Sequence, residues 1–226
     1  MENGTTGLYD GTFEGFLTAA AWALAHPEAT PVLCKAGAEE PNLFVAPTVL
    51  PTDRELAQYY WEWLGQKGVA HQRLVYFAFL AEKSGREAIL LHYLRALLYP
   101  ETHGGGPIPK SIQDPLMRLA RETAAEKEKV LSRLFFTGAS EQPARCEIRP
   151  DCDVLPLLSK ALRQQFGARA WVLYDQKRKY GLSGNPDGVS LFSNRKASDP
   201  PTAFYGSALP EGLQATAAWG QVRRAV

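Results

Sequence analysis

Cysteine and histidine are scarce in this sequence, and neither is arranged for metal binding. The three cysteines, Cys34, Cys146 and Cys152, are too few for the disulfide framework of a secreted domain and do not form the Cys-x-x-Cys pairs of zinc sites. The four histidines are scattered and form no His-x-x-x-His pair. We therefore expect reduced, structural cysteines, no metal site built on these residue types and no cofactor.

Long apolar runs and targeting signals are also missing. No run of about eighteen uncharged apolar residues occurs, as a membrane-spanning helix would need. The opening Met1-Glu2-Asn3-Gly4 has neither the basic nor the apolar segment of a signal peptide. Of the 226 residues, 45% are hydrophobic, which is enough to bury a core. The sequence predicts a folded, cytoplasmic protein with no membrane partner.

Familiar catalytic motifs are absent as well. No serine stands in Gly-x-Ser-x-Gly, and no cysteine has an identifiable base partner. Gly104-Gly105-Gly106 lacks the following Lys-Ser/Thr of a phosphate-binding loop, so we interpret it as a flexible linker. The sequence leaves open whether the protein is an enzyme.

Charge is present but unevenly distributed. The net charge of +1 combines residues 1–109, with 7 basic and 12 acidic side chains, and residues 110–226, with 18 basic and 12 acidic ones. The first part is therefore acidic and the second basic. A basic region is typical of a surface that meets a polyanion.

Hydrophobic periodicity predicts a mostly helical region over residues 1–109. Thr52 and Glu55 have the spacing of a capping box at a helix start. A bulky stripe follows at helical spacing and is expected to be core, formed by Leu56, Tyr59, Tyr60, Trp63 and Leu64. The predicted elements are strands at 8–10 and 31–34 and helices at 13–24, 52–68, 70–83 and 86–99. The glycine- and proline-rich residues 101–109 are the predicted linker.

Residues 110–226 are predicted to form a basic α+β region with a short sheet. Helices are expected at 114–136 and 153–166, and strands at 145–148, 170–174, 180–182 and 189–192. The tail after Ser193 is polar and proline-rich, and we expect it to be partly disordered. The predicted fold class is α+β, a helical N-terminal half followed by a small α/β C-terminal half.

A predicted hairpin tip carries the first candidate site. Lys177, Arg178 and Lys179 lie between Tyr174 and Tyr180. Such cations can contact phosphates, and either tyrosine can stack on an unpaired base. The alternative is a solvated turn whose cations keep a strand edge soluble.

The long helix supplies a second candidate surface. Four of its cations fall within about a third of the circumference at 100° per residue: Arg118, Arg121, Lys129 and Arg133. Glu122 and Glu126 lie in the same stripe. A self-compensated solvent face is therefore the alternative to a basic ridge.

Four carboxylates near the predicted strand ends form a third candidate. Glu147, Asp151, Asp153 and Asp175 could converge on a divalent cation for chemistry on phosphodiesters or nucleobases. Capping offers another explanation, since Asp153 stands where a helix N-cap belongs. Asp175 with Arg178 can likewise be an ion pair that fixes the hairpin.

Three stretches resemble a bacterial family of unknown biochemical function that is labelled a probable DNA metabolism protein. The stretches agree with that family in order and spacing over roughly residues 7–183. They are LYDGTFEGFLTA at 8–19, PNLF at 41–44 with PTD at 51–53, and CEIRPD, DVLPLL, WVLYD, Arg178 and YGL between 146 and 182.

The resemblance implies a partner role in DNA metabolism. Members of that family are typically encoded beside a radical-SAM protein of DNA modification or repair type, or fused to uracil-DNA-glycosylase-like domains. The chain departs from the pattern at Glu128, where a histidine is usual, and at 132–136, SRLFF, where a Gly-Phe-x-Arg-Phe-like end is usual. The family's C-terminal block is missing from 193–226.

The leading hypothesis is an accessory DNA-metabolism protein that binds nucleic acid, a radical-SAM or glycosylase partner, or both. One rival is a metal-dependent enzyme that uses the four carboxylates. Another is a protein-interaction module that never touches DNA. The nucleic-acid hypothesis requires cations from distant parts of the second half to gather on one accessible side.

Overall fold

The computed structural model describes residues 5–26, 31–37, 47–137 and 143–193, which form two compact units. The first contains the described residues up to Phe79 together with Lys83–Ala120, and the second contains Leu80–Glu82 together with residues 121–193. The division falls between Ala120 and Arg121, eleven residues beyond the boundary predicted after residue 109. The tail after Ser193 and the family block at 41–44 lie outside the described residues.

The first unit combines a small parallel sheet with helices. Strand β1 lies between β2 and β3, and both pairings are parallel. Helix α1 begins at Phe13 because the Thr12 hydroxyl accepts a hydrogen bond from the Gly15 amide. The elements are β1 (Thr6–Tyr9), α1 (Phe13–Ala25), β2 (Val32–Lys35), β3 (Thr48–Val49), α2 (Arg54–Lys67), α3 (Val69–Leu80) and α4 (Arg86–Leu98).

An aromatic cluster forms the core of this unit. The Phe13 ring lies edge-on to Trp61 at 5.3 Å and to Tyr76 at 5.0 Å between centroids. Phe79 packs 5.2 Å from Phe13 and 5.4 Å from Phe16. Such edge and tilted arrangements suit the ring quadrupoles and add to the burial of large apolar area. The cluster holds α1, α2 and α3 together.

The capping box predicted at the start of α2 is wrong by one residue. Asp53 is the N-cap, and its carboxylate accepts from the Leu56 amide at 3.0 Å. Thr52 instead donates to the Asp10 carboxylate at 2.7 Å. The Thr52 hydroxyl therefore ties the entry of α2 to the end of β1, a tertiary contact that local spacing does not reveal.

The aromatic stripe predicted as core on α2 is also wrong in large part. Trp61 and Leu64 are buried, whereas Tyr59 is 64% exposed and Tyr60 and Trp63 are half-buried. Tyr60 contacts both other rings, at 5.8 Å and 6.2 Å. The buried face of the helix is thus rotated from the predicted one, and three aromatic side chains remain accessible in the first unit.

The predicted linker contains one regular turn. Pro100–His103 forms a 3₁₀ turn that Gly104 ends in the left-handed region, at φ +86°. Proline suits the first position of such a turn because its missing N–H has no partner there. Helix α5 (Lys110–Arg133) then begins four residues before the predicted Asp114 and includes Pro115.

The second unit is built on a four-stranded mixed sheet of order β4-β5-β6-β7. Strands β4 and β5 pair in parallel, as their connection through α6 requires, and β5-β6-β7 is an antiparallel meander. The strands are β4 (Ala144–Ile148), β5 (Trp171–Asp175), β6 (Tyr180–Asn185) and β7 (Gly188–Ser193), with α6 (Leu155–Phe166) between β4 and β5.

Alternation along the strands decides which face of this sheet is covered. Cys146, Trp171, Leu173 and Leu182 are buried and lie on one face, and α6 packs against β6. The residues that alternate with them along the strands point to the other face, where their side chains remain partly or fully exposed and Gly181, which has none, is buried. The α+β fold class and the placement of the short sheet are confirmed. Within the described residues, no helix is both long and apolar enough to cross a membrane.

Candidate nucleic-acid interface

The β5-β6 hairpin tip is built around Asp175. Its carboxylate accepts hydrogen bonds from the amides of Lys177, at 2.8 Å, and Arg178, at 3.1 Å. The Lys179 amide donates to the Asp175 carbonyl at 2.9 Å, and Lys179 adopts φ +61°. This local network makes an Asx-type turn, in which an aspartate satisfies the backbone of the residues that follow it.

The turn separates the three adjacent cations. Lys177 and Lys179 are exposed, whereas Arg178 is only 5% exposed and turns into the unit. The tip therefore offers two accessible cations where the sequence suggested three. Tyr174 is half-buried beside them, and Tyr180 is 3% exposed, too buried to stack on a ligand in this conformation.

A surface groove gathers the exposed cations with polar and aromatic side chains. Its volume is about 580 Å³. Three basic residues and one acidic residue line it, together with a tyrosine and a glutamine: Arg149, Lys177, Lys179, Glu147, Tyr174 and Gln176. The lining side chains therefore carry a net charge of +2, which favours an anion.

The groove lies at the carboxyl ends of β4 and β5. Glu147 pairs with Tyr174 and Ile148 with Asp175 in the parallel register, so the segments that follow both strands leave the sheet at the same edge. In open sheets with parallel strands, ligands commonly bind outside these carboxyl ends, because the connecting loops provide side chains there. Arg149 comes from one such segment and Lys177 from the other.

Contacts among the lining residues hold the groove in shape. Gln176 donates a short hydrogen bond to the Glu147 carboxylate across β4 and β5. Lys177 Nζ donates to the Asp151 carbonyl at 2.8 Å. The groove's only carboxylate among the described lining residues is thus already hydrogen-bonded, while Lys177 remains exposed with two further N–H donors.

Arg178 is the centre of a buried charge cluster in the second unit. Its guanidinium donates to Asp175 at 2.6 Å and to Glu82 at 2.9 Å and 2.6 Å. Burial lowers the pKa of Arg178, but the surrounding carboxylates, first Asp153 and then Glu82, outweigh it and raise that pKa above the ordinary value. The ion pair expected between Asp175 and Arg178 is present, and the side chain is not accessible to a phosphate.

Asp153 also belongs to this cluster and does not cap α6. The N-cap of α6 is Val154, without a side-chain hydrogen bond, so the predicted cap is wrong. Instead the buried Asp153 carboxyl accepts a short hydrogen bond from the Tyr180 hydroxyl. Burial raises the pKa of Asp153 to about 6, despite the nearby Arg178 guanidinium.

The four carboxylates considered as metal ligands do not share a site. Asp153 and Asp175 surround the Arg178 guanidinium, whereas Glu147 lines the groove and the Asp151 side chain is 79% exposed beside Lys129. In the described parts of the chain, no three carboxylate, histidine or cysteine groups are placed to hold a metal ion. The convergence that the metal-dependent hypothesis needs is therefore not found there.

The basic ridge on α5 is largely self-compensated within the second unit. Lys129 pairs with Glu126 at 2.9 Å and approaches the Asp151 carboxylate to 3.8 Å. Burial alone would raise the pKa of Glu126, but the hydrogen bonds from Lys129 and from the Asp151 amide lower it. Arg133 and Arg121 are exposed on the same helix.

Asp151 joins the ridge to the hairpin. Its carboxylate faces Lys129, while its carbonyl accepts from Lys177. Lys129 from α5 and Lys177 from the tip therefore lie on either side of the same residue, Asp151, in the second unit. Arg118, the remaining predicted member, is exposed but belongs to the first unit.

Three residues of the interface escaped sequence reasoning. Arg149 and Gln176 line the groove, and Phe192 stacks on Tyr174. The pairing of β4 with β5 could have indicated Arg149, because it follows β4 where the 175–179 turn follows β5. Phe192 required the β5-β6-β7 register.

A family model matches residues 84–217, more than half of the chain, and carries the description DUF4130, domain of unknown function. The match includes all described residues of β4 to β7, and with them the groove. Neither a curated protein nor a solved structure matches the chain. On the extent of the family match, the chain belongs to the DUF4130 family of domains of unknown function.

Proposed function

We propose that the protein is an accessory factor of DNA metabolism that binds nucleic acid through the groove of the second unit. The observation that carries this proposal is the meeting of Arg149, Lys177 and Lys179 in one groove, against the single carboxylate of Glu147. These cations come from segments that are distant in sequence. Their convergence is what the nucleic-acid hypothesis requires.

Phosphate binding explains this lining better than a solvated turn does. Exposed Lys and Arg side chains neutralise phosphates and release condensed counterions, which is favourable at low salt. A turn that only keeps a strand edge soluble needs no groove and no aromatic neighbour. Tyr174 and Gln176 add a stacking surface and an amide that can donate and accept hydrogen bonds.

The DNA-metabolism part of the proposal rests on the resemblance of the chain to a probable DNA metabolism family. That resemblance also motivates a physical partner, either a radical-SAM protein or a uracil-DNA-glycosylase-like protein. In this proposal the protein holds the nucleic acid, and the partner performs the chemistry.

Binding across a salt series tests the proposal. The full chain is titrated against labelled 20-nucleotide single-stranded and duplex DNA, and fluorescence anisotropy gives Kd from low to moderate salt. Lys177→Gln and Lys179→Gln should each weaken binding about fivefold at 0.1 M salt and reduce the slope of log K against log salt by about 1.

Arg163→Gln is the matched control. Arg163 is an exposed cation in the last turn of α6, at the end of the helix away from β4's carboxyl end. The Arg163→Gln substitution changes the net charge as much as Lys177→Gln does but alters no residue that lines the groove, so the Kd of this variant should stay close to that of the unaltered protein. No binding at low salt, or equal losses for Arg163→Gln and Lys177→Gln, would contradict the proposal.

The second candidate function is a protein-interaction module, favoured by the accessible aromatic residues of α2. Tyr59 is 64% exposed, with Tyr60 and Trp63 half-buried beside it. Exposed aromatic residues are typical of protein interfaces. Pull-down of a co-expressed radical-SAM protein, with and without nuclease, distinguishes the two functions. Retention after nuclease that is lost with Tyr59→Ala would favour this module.

A further inference from the structure

In the described part of the second unit, α6 packs against one face of the sheet, and the side chains on the other face, called here the open face, are partly or fully exposed. Residues on this open face alternate with the buried ones, and the register places them in two rows across the strands. One row contains Arg145, Val172, Ser183 and Ser190. The other contains Glu147, Tyr174, Gly181 and Phe192.

Tyr174 and Phe192 are brought together across Gly181. Gly181 pairs with Tyr174 on one side and with Phe192 on the other. The two rings are nearly parallel, 15° apart, with centroids separated by 6.1 Å. Both side chains are half-buried and so keep part of their surface accessible.

Gly181 is required for this arrangement. A Cβ at residue 181 would come within 2.4 Å of Phe192 Cζ and within 2.6 Å of the Leu173 carbonyl oxygen. The missing side chain therefore makes the space that the Phe192 ring occupies. The sheet is locally shaped so that two aromatic rings from β5 and β7 can form one platform.

The platform adjoins the cations of the groove. Tyr174 belongs to both, since it stacks on Phe192 and lines the groove with Lys177 and Lys179. Phosphate-binding cations beside an aromatic surface are the combination that single-stranded nucleic acids need, because unpaired bases stack while the backbone is neutralised. Duplex DNA hides its base faces and gains nothing from such rings.

We propose that Tyr174 and Phe192 form a stacking platform for unpaired bases, which makes single-stranded DNA the ligand of the groove. This proposal rests on the proposed function and specifies its substrate. The bases lie on the open face over Tyr174 and Phe192, and their phosphates lie toward Lys177 and Lys179. Since every base has a π face, the platform binds without strong sequence preference.

The experiment compares three labelled ligands of equal length on the full chain: an oligothymidylate, an abasic oligonucleotide with the same phosphates, and a duplex. The proposal expects the oligothymidylate to bind about tenfold more tightly than the abasic strand and more tightly than the duplex, measured by anisotropy at fixed salt. This arm uses the unaltered protein, so it does not depend on the folding of a variant.

Ring-removing variants locate the effect. Tyr174→Leu and Phe192→Leu keep apolar bulk but remove the π surface, and each should weaken oligothymidylate binding about fivefold or more while leaving abasic binding and the salt slope unchanged. Tyr59→Leu, an exposed tyrosine on α2, is the matched control and should bind as the unaltered protein does.

The outcomes separate this inference from the proposed function. If all three ligands bind equally and only the lysine variants lose affinity, the platform is overturned and phosphate binding by the groove stands. If no ligand binds at low salt, both fail. Preference for the oligothymidylate that disappears with Phe192→Leu but persists with Tyr59→Leu supports the platform.

Discussion

Arg178 donates from Nη1 to the Asp175 carboxylate at 2.6 Å, and both side chains are buried. The remaining donors reach Glu82 and the carbonyls of Pro150 and Asp151, at 3.2 Å and 3.0 Å. All five N–H groups of the guanidinium are thus satisfied. One side chain therefore connects the hairpin tip to the loop after β4 and to the residues after α3.

Arg178→Met should destabilise the second unit strongly. Removal of the cation leaves Asp175 buried without its partner, and breaking a buried pair in this way costs about 3–5 kcal/mol. Urea denaturation at pH 7.5 measures the loss. Lys177→Met, an exposed neighbour, should change the free energy of unfolding by no more than about 0.5 kcal/mol. Equal effects of the two substitutions would contradict a structural role for Arg178.

Asp153→Asn should stabilise the protein at pH 8 but not at pH 4.5. Burial raises the pKa of Asp153 to about 6, whereas an unfolded aspartate has a pKa of about 3.9. The folded state therefore holds a proton that the unfolded state releases between these values, and this contribution to stability is complete below about pH 4 and lost as pH rises through 6.

Asparagine keeps the carbonyl that accepts from Tyr180 and carries no charge to desolvate. The difference in unfolding free energy between variant and unaltered protein should grow by about 2 kcal/mol from pH 4.5 to pH 8. Urea melts at several pH values give this difference. A pH-independent difference would show that Arg178 and burial cancel at Asp153, and a difference of opposite sign would show that Arg178 stabilises the ionised carboxylate more than burial opposes it.

The elements of the fold were largely predictable from local patterns, whereas the orientation of helix faces was not. Apolar spacing located α1, α3 and α4 and the strands of the second unit within a few residues. It failed on α2, where seven apolar or aromatic residues lie around most of the circumference. Packing against Phe13 selects Trp61 and leaves Tyr59 exposed, and periodicity alone could not decide between them.

The candidate site was predictable only in part, for a similar reason. Exposed Lys177 and Lys179 followed from a hairpin tip, but the inward turn of Arg178 depends on Glu82, which is 96 residues away in sequence. The position of Asp153 just before α6 predicts a helix cap, whereas its partner in the structure, Tyr180, lies 27 residues further on. Contacts at such separations are set by tertiary packing, which short-range spacing does not encode.

Gly184→Ala should destabilise the second unit although its backbone is unstrained. A Cβ at residue 184 would come within 2.2 Å of the ring of Trp171, which is 1% exposed and cannot yield. Overpacking of this kind costs about 1–3 kcal/mol. Gly106→Ala meets no atom within 4 Å and should leave stability unchanged or slightly raised. Thermal or urea unfolding of both variants provides the comparison, and equal behaviour would contradict the packing of Trp171 over Gly184.

Lys179→Gly should raise stability and lower DNA affinity at the same time. Lys179 adopts φ +61°, a region that costs L-residues with a Cβ but not glycine. Lys179→Ala is the matched control, because it removes the same charge and keeps the strained backbone. Relative to Lys179→Ala, Lys179→Gly should be more stable by about 0.5–1 kcal/mol in urea melts.

Both variants should lose affinity for single-stranded DNA equally, since each removes one groove cation. Equal affinity loss with unequal stability would show that the lysine is retained at a strained position for binding and not for folding. If affinity were unchanged in both variants, Lys179 would not contact the ligand. If Lys179→Gly were less stable than Lys179→Ala, residue 179 would not adopt the left-handed conformation in solution.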